Sequence, residues 1–326
     1  MTELTMTTAP APTTPSAIPK SSPQDEPQGS SKEDQAQTKS ESTKHKIPHP
    51  KLRLHAEELR HPSSSAFLSL IPDVASTLDK AIGNIVRYLY KCPRYPKLKE
   101  PTTTRCMLFE PSIPPTRSVT VFLRDFDGVA YTTGSDLDDD HKEIHLSLPY
   151  IKHCTDSSGK ADPLHELVGV LTHELVHCYQ HTTPPEAEDD DAVKAIYPPG
   201  GLIEGIADFV RLKAGLAPPH WKRPRSSTER ASTWDAGYQH TAYFLAWIED
   251  VRVGEGAIGM LNDRLLRVGY VDENEEPTPS NQVGFWMGLF GVGVADLWDE
   301  YGRYLDGDGA DAKVRGNWED EILNPE

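Results

Sequence analysis

The chain has 326 residues, enough for one large domain or two small ones with a buried core. Its formal net charge of -17 would repel phosphate backbones and anionic lipid, so we expect neither nucleic acid nor a membrane surface as a partner. A hydrophobic fraction of 37% and a mean hydropathy of -0.54 are low for a compact domain and predict that part of the chain is disordered.

The N-terminal segment 1–48 is rich in Pro, Ser, Thr, Gln, Glu and Lys. It cannot bury enough apolar surface to offset its ordering entropy, so we interpret it as a disordered low-complexity tail, with a binding tail as the alternative. Residues 49–322 are predicted to fold, and they could divide into two lobes. Residues 1–20 lack the basic and apolar regions of a secretory signal, and no run of about 18 apolar residues occurs. A cytoplasmic location is therefore the default expectation, with export without a leader as the alternative.

Patterns of apolar residues predict the elements of the folded domain. Helical spacing predicts a first helix over Pro72–Tyr90, with Asp73 as its N-cap. Four segments with β-branched residues or with alternating apolar and polar residues predict strands. These segments are Cys106–Phe109, Ser118–Leu123, Gly128–Thr133 and Glu143–Leu148.

The second half of the chain is predicted to be helical. Asp162 and Pro163 predict the start of a long helix, as its N-cap and first helical residue. Apolar periodicity predicts further helices over Leu202–Ala214 and Trp234–Glu249 and within Val283–Tyr304. Strands come first and helices later, which predicts an α+β fold with a mixed N-terminal sheet and a mostly helical C-terminal half.

A metal-binding pattern lies on the long helix, where the chain reads His173-Glu174-Leu175-Val176-His177. Helical residues four apart are offset by roughly 40° and about 6 Å, so His173 and His177 can bind one ion through their imidazoles. Zinc suits imidazole nitrogen, and a catalytic zinc site uses three protein ligands plus water. Glu174 lies on the rim of that face, where it can accept a proton from the metal-bound water. The alternative is a pair of structural histidines on a surface helix.

The third ligand distinguishes the branches of enzymes that share this pattern. In one branch the pattern extends to a Gly and a third His, but those positions are Gln180 and Thr183 here, so that branch is excluded. His181 lies eight residues after His173, about 12 Å along a helix axis, which is too far to share the ion. In the gluzincin branch a Glu on a following helix completes the site, and Glu204 offers it.

Glu204 and Asp208 lie one turn apart on an otherwise apolar helix, where two unpaired carboxylates would need a partner. Glu204 can ligate zinc. Asp208 can accept the free ring N–H of a liganding histidine, which fixes the tautomer of that ring and raises its basicity. The alternative is an exposed acidic face on this helix.

With Glu204 placed, the sequence resembles the basic secretory protein family of plant and fungal peptidases over roughly Ile71–Tyr304. The matching blocks are Gly128–Thr132, Glu143–Ser147, Leu171–His177, Gly200–Gly215, Ala217-Pro218, His220-Trp221, Trp234–Tyr238, Thr241-Ala242 and Phe244-Leu245. The resemblance implies a gluzincin-like zincin fold with one Zn2+ per chain, held by His173, His177 and Glu204. The sequence departs from the family in its acidic charge, in the expected absence of a leader and in the acidic insertion Glu186–Asp191.

The resemblance also bears on the substrate. It implies an edge strand near Glu143–Leu148, whose residues Ile144, His145 and Leu146 could pair with an extended peptide. Oxyanion stabilisation needs a hydrogen-bond donor, and Tyr238 is the candidate because it lies in a matching block, with a packed structural tyrosine as the alternative. We therefore expect a monomeric zinc metallopeptidase that acts on peptides or proteins, with a catalytically weak zinc-binding defence or interaction protein as the alternative.

Overall fold

A computed structural model describes residues 47–91, 111–135, 138–156, 162–183, 197–272 and 284–307 of the chain. Three predictions lie outside these ranges: residues 1–46 of the tail, the strand Cys106–Phe109 and the acidic insertion Glu186–Asp191. No helix in the part of the chain that the structure describes has the length and apolar character needed to cross a membrane.

The strands form one mixed four-stranded sheet in the order β1-β2-β4-β3. They are β1 (Lys51–Ala56), β2 (Ser118–Arg124), β3 (Ala130–Ser135) and β4 (Asp138–Ser147). β1 pairs with β2 and β2 with β4 in parallel, whereas β3 pairs with β4 antiparallel. The predicted mixed sheet is confirmed, although the sequence patterns did not reveal β1.

The prediction that Glu143–Leu148 forms an edge strand is wrong. β4 is hydrogen-bonded to β2 on one side and to β3 on the other, so its backbone has no edge left for a peptide. Ile144 and Leu146 are 0% exposed and His145 is 5% exposed, so none of the three can line a substrate cleft. Strand pairing depends on distant segments, and the local alternation that identified this strand does not show its neighbours.

Helices make up most of the remaining described chain, as predicted for the α+β class. They are α1 (Pro62–Leu70), α2 (Val74–Leu89), α3 (Leu148–Asp156), α4 (Pro163–His177), α5 (Gly200–Lys213), α6 (Tyr238–Trp247), α7 (Ala257–Arg267), α8 (Phe285–Phe290) and α9 (Val294–Asp306). Helix α4 contacts α2, α5 and β3, and nearly all of its residues after the first turn are buried. This central helix carries the histidine pair.

The predicted caps are confirmed at both helices where they were proposed. Asp73 accepts a hydrogen bond from the backbone N–H of Ser76 at 2.9 Å at the start of α2. Asp162 accepts one from Leu164 N at 3.0 Å, and Pro163 is the first residue of α4. These contacts satisfy backbone donors that a helix leaves without an internal partner.

The helix predicted over Trp234–Glu249 begins four residues later, at Tyr238. Gly237 has a φ of 84°, so the segment before it cannot continue into α6 as a helix. The Thr241 hydroxyl accepts from Gly237 N at 2.9 Å and donates to the carbonyl of Trp234 at 2.8 Å. The segment is therefore a turn fastened to the first turn of α6, and it presents Tyr238 at the helix start.

Candidate metal centre

Helices α4 and α5 bring the three predicted ligands together. The Nε2 atoms of His173 and His177 lie 3.1 Å apart. Glu204 Oε2 lies 3.1 Å from His173 Nε2 and 3.8 Å from His177 Nε2. Within the described ranges, these three side chains are the group of His, Cys, Asp or Glu residues whose ligand atoms lie close enough to hold an ion, all within 4.8 Å of one another.

His173 Nε2, His177 Nε2 and Glu204 Oε2 form a triangle, called the ligand triangle below, whose size fits a small divalent cation. Ligand atoms at about 2.0–2.1 Å from a tetrahedral zinc ion lie roughly 3.3–3.4 Å from one another. The three separations of 3.1, 3.1 and 3.8 Å fall on either side of that value. Two imidazole nitrogens that face each other at 3.1 Å need a proton or a cation between them, because two lone pairs would repel. The donor set of two imidazoles and a carboxylate is one that zinc accepts.

Asp208 lies behind the first histidine, as predicted. The residue is 2% exposed, and its Oδ1 accepts from His173 Nδ1 at 2.6 Å, so the Nε2 atom of that ring is left to act as a ligand. Burial disfavours a charged imidazole, but the hydrogen bonds to Asp208 and Glu204 outweigh it and raise the pKa of His173 to about 9.

Glu174 is buried next to the ligands, with 6% of its surface exposed. The Thr132 hydroxyl on β3 lies 2.7 Å from Glu174 Oε2 and 2.9 Å from the Glu174 carbonyl oxygen. Burial raises the pKa of Glu174, while His173 and the hydrogen bond from Thr132 act in the opposite direction. A carboxyl group with a raised pKa is suited to take up and release a proton near neutral pH.

Tyr238 shares the cavity with the ligands. Its ring stacks on that of His173, with centroids 6.2 Å apart and an interplanar angle of 15°, and 58% of the residue is exposed. The negative charge of Glu204 is the main cause that raises the pKa of Tyr238, so its hydroxyl keeps its proton. In the part of the chain that the structure describes, Tyr238 is the non-glycine residue with a positive φ, 46°. Such strained backbone tends to occur at functional sites.

The ligands open into a cavity of about 640 Å3. Its walls come from β3 and the residue before it, from α3, α4 and α5, from His220 and Trp221 after α5, and from the first turn of α6. A buried ion pair, Arg211 Nη2 to Glu166 Oε1 at 3.1 Å, lies along the same cavity. Arg211 is on α5 and Glu166 is on α4, so this ion pair joins the two helices that hold the ligands.

A family model described as BSP, peptidase of plants and bacteria, matches residues 49–301. The chain belongs to the BSP family. The matched residues contain the ligand triangle, Glu174, Tyr238 and the cavity walls, so the family's peptidase label applies to the part of the chain that forms the site. No curated protein and no solved structure matched the chain.

Membership in the BSP family confirms the resemblance that the motifs indicated and makes the chain a member of a hydrolase family. The structure brings His173, His177, Glu204, Glu174 and Asp208 together, with Tyr238 beside them, and leaves Ile144, His145 and Leu146 outside. Sequence reasoning missed Thr132. The strand that contains it was predicted, but the face of that strand that meets α4 was not.

Two glycines of this BSP chain allow helix α5 to pack closely against the turn before α6. A Cβ atom on Gly201 would lie 1.8 Å from the carbonyl oxygen of Asp235, and one on Gly205 would lie 2.3 Å from Thr241 Cγ2. Helix α5 therefore approaches the turn before α6 more closely than any side chain would allow. Glu204 follows Gly201 on α5, and Tyr238 follows the turn. This contact therefore sets the position of Glu204 relative to Tyr238.

Proposed function

We propose that the chain is a zinc-dependent metallopeptidase of the zincin type, in which His173, His177 and Glu204 hold one zinc ion. The observation that carries the proposal is the ligand triangle with edges of 3.1, 3.1 and 3.8 Å at one side of the cavity. When bound, zinc would polarise the scissile carbonyl as a Lewis acid and lower the pKa of water in the site.

Glu174 is the proposed general base and acid. It would take the proton from the attacking water and pass it to the nitrogen of the leaving amine, which requires a carboxylate that binds and releases a proton readily. Its buried position beside His173 and its raised pKa support this role. The hydroxyl of Thr132, 2.7 Å from Oε2, would fix the orientation of the carboxylate while the other oxygen stays available.

Asp208 is proposed to position a ligand, and Tyr238 is proposed to contact the substrate. Asp208 would hold the His173 ring in the tautomer that presents Nε2 to the cation. Tyr238 would donate a hydrogen bond to the oxyanion that develops on the scissile carbonyl. A hydroxyl that keeps its proton and lies on the exposed side of the ligands is suited to this role.

The proposed substrate is a peptide or protein bound in extended form along β3. This strand is at the edge of the described sheet, and Ala130, Tyr131 and Thr132 line the cavity beside the ligands. A peptide added to this edge would gain main-chain hydrogen bonds, which is the role that the sequence had assigned to β4. The net charge of -17 favours neither nucleic acid nor membrane as a partner, and we propose that the chain acts as a monomer.

The test combines metal content with cleavage. Elemental analysis of the full-length protein is expected to give one zinc per chain for the wild type and for Glu174→Gln, and none for His173→Ala. Cleavage of casein or a peptide library is expected to fall about 10²–10⁴-fold in Glu174→Gln, because the proton acceptor is lost while the ligands stay.

The outcomes separate the alternatives. Unit zinc without cleavage by the wild type would favour the catalytically weak zinc-binding protein. Absence of zinc in a wild type that is folded by circular dichroism would refute the metal site. Cleavage that survives in Glu174→Gln would remove Glu174 from its role.

A further inference from the structure

The second ligand histidine also has a partner behind its ring. Gln180 follows the end of α4, and its side-chain amide lies 2.8 Å from His177 Nδ1. The residue is 8% exposed, and with its amide nitrogen turned to the ring its Oε1 atom is buried without a hydrogen-bond partner. A buried amide oxygen without a donor is unfavourable, so this orientation needs an explanation.

The chemistry of the ring identifies the better orientation. His177 Nε2 faces the ligand triangle, and it can bind a cation only through its lone pair. The ring proton must then be on Nδ1, which becomes a donor and needs an acceptor at 2.8 Å. Because amide oxygen and nitrogen are assigned from the hydrogen bonds they make, the amide can be turned so that Oε1 meets Nδ1–H.

We infer that Gln180 is a positioning residue for His177: its amide oxygen accepts the Nδ1–H bond and holds the ring in the tautomer that offers Nε2 to a cation. The inference rests on the proposed zinc site and extends it. Gln180 itself is held in place, since its backbone N–H donates to the Val176 carbonyl at 2.7 Å and the next N–H, of His181, donates to Asn262 Oδ1 at 2.8 Å.

The two histidines are thus supported by different groups. His173 has a carboxylate, Asp208, at 2.6 Å, whereas His177 has a neutral amide. Carboxylates already surround the centre, with Glu174, Glu204 and Asp208 close to the rings. A neutral acceptor fixes the second ring without adding a further negative charge, which would weaken the Lewis acidity of a bound cation.

The test measures zinc affinity rather than turnover. Full-length protein stripped of metal is titrated with zinc in competition with a chromophoric chelator, for the wild type, Gln180→Leu, Gln180→Met and Gln180→Glu. Leu and Met fill the space but provide no good acceptor, and they are expected to weaken zinc binding by about 10–100-fold. Glu keeps an acceptor of the same length and is expected to retain the wild-type affinity or exceed it.

A second readout distinguishes this role from packing. Nitrogen-15 NMR of histidine-labelled, metal-free protein is expected to show the Nδ1–H tautomer of His177 in the wild type and in Gln180→Glu, and a mixture in Gln180→Leu and Gln180→Met. If one of the two apolar variants does not fold, the other alone serves for the comparison.

Three results would overturn the inference. The apolar variants could bind zinc as tightly as the wild type, or Glu could weaken binding as much as Leu does, and either result would reduce Gln180 to a packing residue while the zinc site stands. A folded wild type that binds no zinc would instead refute the proposed function, and the role of Gln180 with it.

Discussion

At the scale of single residues, His145 shows how a side chain in a matching block can be structural. Its ring is stacked between Phe122 and Tyr131, with centroid distances of 5.0 and 4.4 Å and interplanar angles of 13°. Successive residues of a strand face opposite sides of a sheet. Since Thr132 faces Glu174, the side chain of Tyr131 and the ring stacked on it lie on the opposite face of the sheet from Thr132.

The environment of His145 predicts a pH dependence of stability. Burial is the main cause that lowers its pKa, ahead of the opposing effect of Glu143. Below the ordinary pKa of histidine, about 6.5, the unfolded chain then binds more protons at this ring than the folded one does, so acid removes stability. His145→Phe keeps a ring in the stack without a charge. We expect it to lose less stability than the wild type between pH 7.5 and pH 5, because the ring that gains a proton on unfolding is absent.

Urea unfolding of both proteins at several pH values measures this difference, with peptide cleavage at pH 7.5 as a second measurement. Parallel curves for the two proteins would show that His145 does not titrate differently on folding. A loss of cleavage with unchanged stability would instead return His145 to the substrate site.

At the scale of elements, the contact between α5 and the turn before α6 is the feature on which the site geometry depends most. Gly201→Ala would place a methyl group against the Asp235 carbonyl, where the nearest atom is 1.8 Å away and belongs to the backbone. Either the helix or the turn must move. We expect a loss of about 1–3 kcal/mol of stability and, because Glu204 and Tyr238 move relative to each other, about a 10²-fold loss of cleavage.

The neighbouring glycine supplies a matched control. A Cβ on Gly200 would meet nothing within 4 Å, and this residue is the first of α5. Gly200→Ala is therefore expected to change stability by no more than about 0.5 kcal/mol and to leave cleavage intact. Thermal unfolding and cleavage assays of both variants check the pair. Equal effects at the two positions would mean that the close approach does not determine the geometry.

Local periodicity explains which elements the sequence could predict. The two helices that hold the ligands were predictable because Asp162 and Pro163 mark the start of α4 and because apolar residues recur at helical spacing along α5. Helix α1 was missed because its serines are poor helix formers, and it is stabilised by tertiary hydrogen bonds such as Ser63 Oγ to the Leu148 carbonyl at 2.8 Å.

Contacts between distant segments account for what the sequence could not predict. The placement of β4 inside the sheet depends on pairing with β2 and β3, and the contact of Thr132 with Glu174 depends on which face of β3 meets α4. Gln180 lies three residues after His177, a spacing that brings helical side chains together, but its role became visible only with the buried amide oxygen. Pairings of this kind are set by the folded chain as a whole.

At the scale of the whole molecule, the negative net charge means that metal binding alone does not identify the site, because an acidic surface also attracts cations. The chain carries 50 acidic and 33 basic residues, so divalent cations will gather loosely over its surface. The ligand triangle differs from such a surface because it combines two imidazoles with a carboxylate, a set that favours zinc over the oxygen-preferring magnesium. A zinc-specific response that depends on Glu204 would distinguish the two modes.

Thermal stability is expected to report this response, because a ligand that binds the folded chain alone stabilises it in proportion to the logarithm of its concentration. At about 100 times its dissociation constant, zinc should stabilise the metal-free wild type by about 2.7 kcal/mol. For a domain of this size that corresponds to a rise of roughly 5–10 °C in the unfolding midpoint. Glu204→Gln removes a ligand with little change in volume, so its midpoint should respond far less to the same zinc concentration, and magnesium should shift neither protein. Scanning fluorimetry of both proteins with each cation measures this, and an equal rise with zinc in the variant would place the ion on the acidic surface instead of between α4 and α5.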